Sequence, residues 1–272
     1  MIRFTVITIT YNAEGVLQRT LDSVLHQTYP DVDHLIIDGA STDGTLPLAE
    51  AYKAASDANN AHKVIIVSEP DDGIYDAMNK GLTQASGDYI VYMNAGDYFP
   101  NDDTLEQVAH RCHLNELPSA ELPGVLYGRT DIVDNEGRYL HPRRLQPPAR
   151  LTWLSFRHGR LVCHQAFYAR TDIAKYLQFD LHYRYSADVD WCIRVMRETE
   201  RMGLPLYNIN KVVANYTEEG TTTRHHRDSL RERFTIMRHH YGLPVTLLMH
   251  AWFVVRNTAQ KLPFRHKTID TR

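Results

Sequence analysis

The sequence predicts an α/β fold, a mostly parallel sheet with helices on both faces, and three observations carry that expectation. Short strand-like runs alternate with helical stripes through the first hundred residues, the signature of repeated strand-helix-strand units. The strand-like runs are almost wholly apolar, as strands covered on both faces are. Beyond Pro100 the rhythm gives way to a hairpin and scattered helices, which predicts a smaller, differently built second region.

Phe4 to Thr10 reads as the first strand. Ala13 to Gln27 follows as a helix because Val16, Leu17, Thr20, Leu21, Val24 and Leu25 fall on one stripe. His34 to Asp38 is a second strand, and "ASTDGT" then offers Ser41, Thr42 or Asp43 as a cap for a helix reaching about Ala58. Lys63 to Glu69 is a third strand, Ile74 to Ala85 a third helix, and Tyr89 to Met93 a fourth strand rich in β-branched and aromatic residues. Val125 to Asp134 and Arg138 to Arg144 flank "NEG", which predicts a hairpin. After the Pro-containing "LQPPARL" and the aromatic "TWLSFRHG", Asp188 to Thr199 returns to helical periodicity, and Leu230 to Tyr241 reads as an exposed, charged helix. With no internal repeat or clear linker, the organisation expected is one domain over residues 1–223 and a basic, partly amphipathic helical tail over 224–272.

The composition, 43% hydrophobic and 23% charged over 272 residues, is that of an ordinary globular protein. A net charge of −3 argues against a general nucleic-acid binder, which needs a strong basic excess. That average hides an asymmetry. Residues 1–100 hold 5 Lys/Arg against 14 Asp/Glu, and residues 224–272 hold 10 against 3. An acidic body and a basic tail point to a cation site in the first and an anionic surface for the second. The three widely spaced cysteines predict reduced thiols in a cytoplasmic protein. "MIRFTVITIT" lacks the cleavage-type end of a secretory leader. The apolar run "GLPVTLLMHAWFVV" falls short of the ~20 residues of a bilayer crossing.

In open parallel sheets ligands bind at the carboxyl ends of the strands. Here those ends collect polar residues: Thr10, Tyr11 and Asn12 after the first strand, Asp38 after the second, "SEPDDG" after the third and "NAGD" (Asn94, Ala95, Gly96, Asp97) after the fourth. A nucleotide is the expected ligand, but no GxGxxG or GxxxxGK[ST] follows any strand. The phosphates then need another partner, and a divalent cation on Asp97 supplies one, since hard cations take carboxylate and diphosphate oxygens together. Each of these acids also has a plainer role as a turn-former, and Asp97 belongs equally to a polar turn before a helix cap near Asp102.

Three segments, "TITYNAEGVLQRTLDSVLHQTYPDVDHLIIDGASTDGT", "GIYDAMNKGLTQASGDYIVYMNAGD" and "SADVDWCIR", together resemble the inverting family 2 glycosyltransferases of the GT-A fold, in family order and over roughly residues 4–195. The wording is closest to members that act in bacterial polysaccharide and capsule assembly. The resemblance implies a nucleotide-binding half over 1–100 and an acceptor-binding half over 101–223. Thr10 and Asp38 would surround the base and ribose of a nucleotide-sugar donor, UDP by preference, with Tyr11 and Asn12 on the same wall. Asp76 and Asn79 would face the ribose, diphosphate or donor sugar, and Asn94, Ala95 and Gly96 would run along the donor. Asp97 would be the last acid of a DxD-type motif and bind Mg2+ or Mn2+. The family's "DxDD" reads "NAGD" here, and its Glu-Asp-x-Asp base motif reads Ala187, Asp188, Val189, Asp190. The acid that matches the general base is Asp188.

Inverting transfer needs a stabilised leaving diphosphate and an activated acceptor hydroxyl, which the resemblance assigns to Asp97 with its cation and to Asp188. Asp188 also suits the N-cap of its helix, and Asp190 suits an ion pair with Arg194 one turn on. Trp153 and His164 are candidates for an acceptor pocket, His164 equally for a satisfied core histidine. His225 is a further candidate metal ligand. The apolar stretch Leu243 to Val255, flanked by basic residues, would lie on the inner face of the cell membrane, suiting a glycan or lipid-linked acceptor, or would be a core or dimer helix. Two other classes compete: a nucleotidyltransferase, which needs a basic Gly-rich loop after the first strand that "TYNAEG" does not supply, and a catalytically silent sugar-nucleotide binder or assembly subunit.

Overall fold

A computed structural model of the chain describes residues 1–159, 161–217 and 226–261. His225 lies outside them. The amino-terminal half follows the expected alternation: β1 (Phe4–Thr10), α1 (Glu14–Leu25), β2 (Val32–Asp38), α2 (Thr45–Asn59), β3 (Lys63–Ser68), α3 (Ile74–Gln84) and β4 (Tyr89–Tyr92). After α4 (Thr104–Arg111) come β5 (Val125–Val133), β6 (Tyr139–Pro142), β7 (Phe167–Arg170), the short α5 (Thr171–Ala174), α6 (Ala187–Arg201) and β8 (Leu206–Thr217). Two further helices close the described chain, α7 (His226–Tyr241) and α8 (Leu243–Lys261).

The eight strands of the described residues form one sheet in the order β3-β2-β1-β4-β7-β5-β6, with β8 paired to β5. β3, β2, β1 and β4 are mutually parallel, whereas β7 joins β4 and β5 antiparallel. β5 and β6 form the expected hairpin. From β1 the chain moves outward to β2 and β3, then returns to place β4 on the other side of β1. That reversal opens a crevice beyond the carboxyl ends of β1 and β4, where ligands of such sheets bind.

Both faces of the parallel part are covered. On one, Leu17 and Leu21 of α1 and Ala49 and Tyr52 of α2 pack on Ile36 and Val64. On the other, Met78 and Leu82 of α3 join Ile7 and Ile37 in a cluster that runs on through Phe167 and Trp191. α3 approaches so closely that a Cβ on Gly81 would meet Ile7 Cγ2 at 2.5 Å. Only glycine fits that crossing.

One buried group gives the fold a pH dependence. The His34 ring lies between Thr8 Oγ1 at 2.9 Å and the Tyr52 hydroxyl at 2.6 Å, and burial holds its pKa down to about 3. The unfolded chain therefore takes up a proton near pH 6.5 that the native state refuses. Stability contributed by neutral His34 is complete above that pH and falls by up to about 1.4 kcal/mol per pH unit below it, until about pH 3. Burial lowers His62 as well, with the same sign, whereas burial of Asp97 raises its pKa to about 6 and acts in the opposite sense between there and the ordinary carboxylate range. The difference between wild type and His34→Asn isolates the His34 contribution. Denaturant melts between pH 6.5 and 5 are expected to show the variant less stable overall but with the shallower pH slope.

Candidate active site

A cleft of about 750 Å³ opens at the crevice between β1 and β4. Its floor comes from Ile9 and Thr10 of β1 and from Asn94 to Asp97 after β4, and its far wall from His164, Gln165 and Asp188. Tyr11 and residues 71–76 form one rim, and Leu181, Tyr183, Arg184 and Tyr185 the other.

The 94–97 turn is held in place by α1. Thr20 Oγ1 donates to the Asp97 carbonyl at 2.7 Å and accepts the Gly96 N–H at 2.9 Å. An Arg19 guanidinium nitrogen donates to the Gly96 carbonyl at 2.8 Å, while the group stacks over Tyr98. Gly96 itself has φ of +98°, a conformation that side-chain-bearing residues rarely adopt. The chain can therefore leave a buried strand and turn a carboxylate back toward the sheet edge.

The Asp97 side chain is only 5% exposed. Gln165 Nε2 donates to its Oδ2 at 2.7 Å and the Thr217 N–H to its Oδ1 at 3.2 Å. Burial outweighs these donors and raises the carboxyl to about 6. A carboxylate oxygen accepts more than one hydrogen bond, so each retains a lone pair for a cation. Nearby, Asn94 Oδ1 is buried with no hydrogen-bond partner among the described residues, and so is Thr10 Oγ1 on the same floor. Asp97 and an unused amide oxygen are the oxygen donors a hard cation takes. Among the described residues no group of three or more His, Cys, Asp or Glu could hold a metal ion. A cation here would therefore complete its shell mainly from ligand and water.

Asp188 occupies the first turn of α6 and not its N-cap position, which is Ser186, whose hydroxyl bonds to Ser229 and makes no side-chain cap. Asp188 is 3% exposed and lines the cleft. The Tyr75 hydroxyl donates to Asp188 Oδ1 at 3.2 Å, and His164 Nδ1 lies 3.3 Å from Oδ2. The other ring nitrogen of His164 faces Asn94 Nδ2 at 3.2 Å. A side-chain relay thus connects the turn that carries Asp97 to Asp188. Asp190 points away, paired to Arg194 at 2.6 Å as expected and to His240 Nε2 at 2.7 Å.

Four expected residues do not line this cleft. Asp38 is fully buried, its Oδ2 accepting from the Ser41 N–H at 3.0 Å and the Ser68 hydroxyl at 2.6 Å. Asn12, at φ of +46°, uses Oδ1 to accept the Thr42 N–H at 2.9 Å and so braces the loop after β2. Asn79 exchanges two hydrogen bonds with the backbone of Phe179, at 3.0 and 2.7 Å. Trp153 stacks on Tyr241 with ring centroids 5.6 Å apart, and Arg197 covers its ring at 5.0 Å. Asn79→Ala is accordingly expected to destabilise the fold by about 1–3 kcal/mol, because two buried bonds are lost. Donor affinity should be unchanged, as urea melts and a titration of donor would read.

Sequence reasoning missed Gln165, Thr217, Tyr75 and Arg19. Gln165 neighbours His164 in "VCHQAFY", and Tyr75 precedes Asp76 in "GIYDAMNKG", which were usable pointers; nothing around Thr217 or Arg19 marks either for the site.

A cleft at the reversal point of a parallel sheet, with buried carboxylates on its floor and far wall, has the place and the groups of a ligand-binding catalytic site. The sequence profile of Glycosyl transferase family 2 matches residues 5–177, and the chain belongs to that family. The PGL/p-HBAD biosynthesis glycosyltransferase of Mycobacterium tuberculosis is 33% identical over 218 residues, 80% of this chain and 77% of the relative. Among solved structures, TarS 1-349 of S. aureus in complex with UDP-GlcNAc superposes with a TM-score of 0.68 at 20% identity, covering 94% of this chain and 73% of that one. The mannosyltransferase PcManGT of Pyrobaculum calidifontis, in complex with GDP-Man and Mn2+, gives a TM-score of 0.60 at 19% identity, covering 96% of this chain and 77% of that one. The protein is a glycosyltransferase with the GT-A fold. The nucleotidyltransferase and the silent binding subunit both give way to that class.

Proposed function

We propose that the enzyme transfers a sugar, with inversion, from a UDP-sugar to a hydroxyl of a glycan or lipid-linked acceptor, with a divalent cation at Asp97 and Asp188 as general base. The observation that carries this reading is the pairing of the two acids across one cleft, linked through Asn94 and His164.

On the donor side, Thr10, Tyr11, Ala95 and Gly96 offer a wall and floor for the nucleotide, and Asp76 lies on the rim beyond. A bound Mg2+ or Mn2+ would stabilise the negative charge that grows on the departing diphosphate. Asp97 would hold that charge-bearing end of the donor in place, with Asn94 Oδ1 as a second oxygen. The similarity to TarS bound to UDP-GlcNAc and to PcManGT bound to GDP-Man supports a nucleotide-sugar ligand, and Mn2+ in the second supports the metal.

On the acceptor side, Asp188 takes the proton of the attacking hydroxyl as its oxygen forms a bond to the anomeric carbon. The bond from that carbon to the diphosphate oxygen breaks on the opposite face, and the electron pair leaves with the nucleoside diphosphate. Tyr75 on Oδ1 and His164 on Oδ2 fix the orientation of the Asp188 carboxylate at the cleft wall. General-base assistance of this kind contributes about 10²–10⁴-fold.

The test is a thermal-shift screen of nucleotide sugars with and without Mn2+. A ligand that prefers the folded state raises the midpoint by mass action. UDP-sugars are expected to do so in the presence of the metal and much less in its absence. A shift of equal size without metal would remove the cation from the proposal, and no shift with any UDP-sugar would remove the donor.

A further inference from the structure

We propose that α8 is a docking surface for an anionic lipid bilayer. Between Leu243 and Val255 the helix contains no Asp, Glu, Lys or Arg. Its polar side chains in that stretch turn inward: Thr246 is fully buried, and the His250 ring lies 5.0 Å from that of Phe234. The opposite face presents Leu243, Leu247, Leu248, Trp252, Val254 and Val255 to solvent, with Leu248 69% and Val254 66% exposed. At 3.6 residues per turn these positions cover roughly half the helix circumference. A surface helix ordinarily turns its apolar stripe inward and its charges outward. Here the solvent face is the apolar one, and a contiguous exposed apolar patch marks an interaction surface.

Charge selects the occupant. Residues 226–261 carry six Lys/Arg against two Asp/Glu, and residues 262–272 add Arg265, Lys267 and Arg272 against Asp270 alone. An apolar helix face within a cationic segment is the composition that binds in the headgroup layer of an acidic membrane, each basic residue near the surface strengthening binding roughly fivefold. Among the described residues no helix is long and apolar enough to cross a membrane. α8 is also packed along its inner face, where Met249 is buried. It therefore lies on the bilayer.

The docked surface is tied to the cleft. Glu232 of α7 accepts the backbone N–H groups of Arg184 and Tyr185, which line the cleft rim, at 2.7 and 2.8 Å. A cleft mouth held beside the membrane suits an acceptor whose sugar is carried on a lipid. Docking itself does not rest on the donor assignment, and nucleotide-sugar binding in solution reads that assignment separately.

The experiment uses the full chain with vesicles of equal parts phosphatidylglycerol and phosphatidylcholine, and with pure phosphatidylcholine. The protein is expected to cosediment with the anionic vesicles and to be released by high salt. Leu248→Glu/Val255→Glu, at two exposed positions, should weaken that binding at least tenfold while the melting temperature and donor binding stay unchanged. A second readout needs no variant. Trp252 is 51% exposed whereas Trp191 is fully buried and Trp153 is covered by Tyr241 and Arg197, so brominated lipids should quench the Trp252 fluorescence selectively. Absence of both cosedimentation and quenching overturns the proposal. Equal binding to both vesicle types overturns the charge argument. A wild-type dimer in sedimentation velocity that the double variant dissociates, without vesicle binding, reassigns the face to a second copy of the chain.

Discussion

Asp188→Asn is expected to lower the rate of sugar transfer by about 10²–10⁴-fold while donor affinity stays at its wild-type value. The substitution keeps the size of the side chain, and the amide oxygen still accepts the Tyr75 hydroxyl. What it removes is the ability to take a proton. The amide NH2 that replaces Oδ2 faces His164 Nδ1, so one hydrogen bond is lost at a cost of about 1 kcal/mol, and the melting temperature should fall only modestly. Rates with saturating donor and acceptor, set beside a donor titration, separate the effects. Transfer within a few-fold of wild type would end the assignment of Asp188 as base.

Asp97→Asn carries the second large effect, on the donor side. The amide can still accept from Gln165 or from the Thr217 N–H, but its NH2 group faces whichever donor remains. One hydrogen bond is lost, at a cost of about 1 kcal/mol. That cost is offset in part because the wild-type carboxyl, raised to about 6 by burial, is itself expensive to ionise. Metal affinity is another matter. Losing an outer-shell partner of a metal typically weakens binding 10–100-fold, and here the one carboxylate on the cation would go. Mn2+-dependent binding of UDP should therefore weaken by about 100-fold or more, with little change in metal-free binding. Calorimetric titration of UDP with and without Mn2+ reads both. An unchanged metal dependence would place the cation elsewhere.

Most of the amino-terminal half was legible because its signals are local. The buried parallel strands are continuous apolar runs and the helices between them carry an apolar stripe, so boundaries fell within a few residues; the cap expected at Ser41, Thr42 or Asp43 lies instead at Gly44, without a side-chain cap. β7 and β8 were not legible. β7 has four residues, and β8 mixes Asn and Lys with Val along a half-exposed strand whose register against β5 shifts twice. Its place in the sheet depends on partners far along the chain.

The site divides in the same way. Asp97 and Asp188 could be picked out because each sits in a recognisable run of residues at an element end. Which groups hold them could not be read, even where a neighbour such as His164 pointed to the region. Gln165 and the Thr217 N–H reach Asp97 across 68 and 120 positions. Trp153 differs: an aromatic residue in a loop reads equally as a sugar platform or as packing, and only the placement of Tyr241 and Arg197 against its ring decides. Asn79, at the buried side of α3, gives no sign in the sequence that its amide is committed to Phe179.

The most direct test of the account is a crystal structure of the wild-type enzyme with Mn2+ and a UDP-sugar, read by anomalous scattering. A manganese peak bonded to an Asp97 oxygen and to the diphosphate is expected, with the anomeric carbon turned toward Asp188. Diphosphate bound away from the 94–97 turn, with Asp97 still contacting only Gln165 and Thr217, would contradict it.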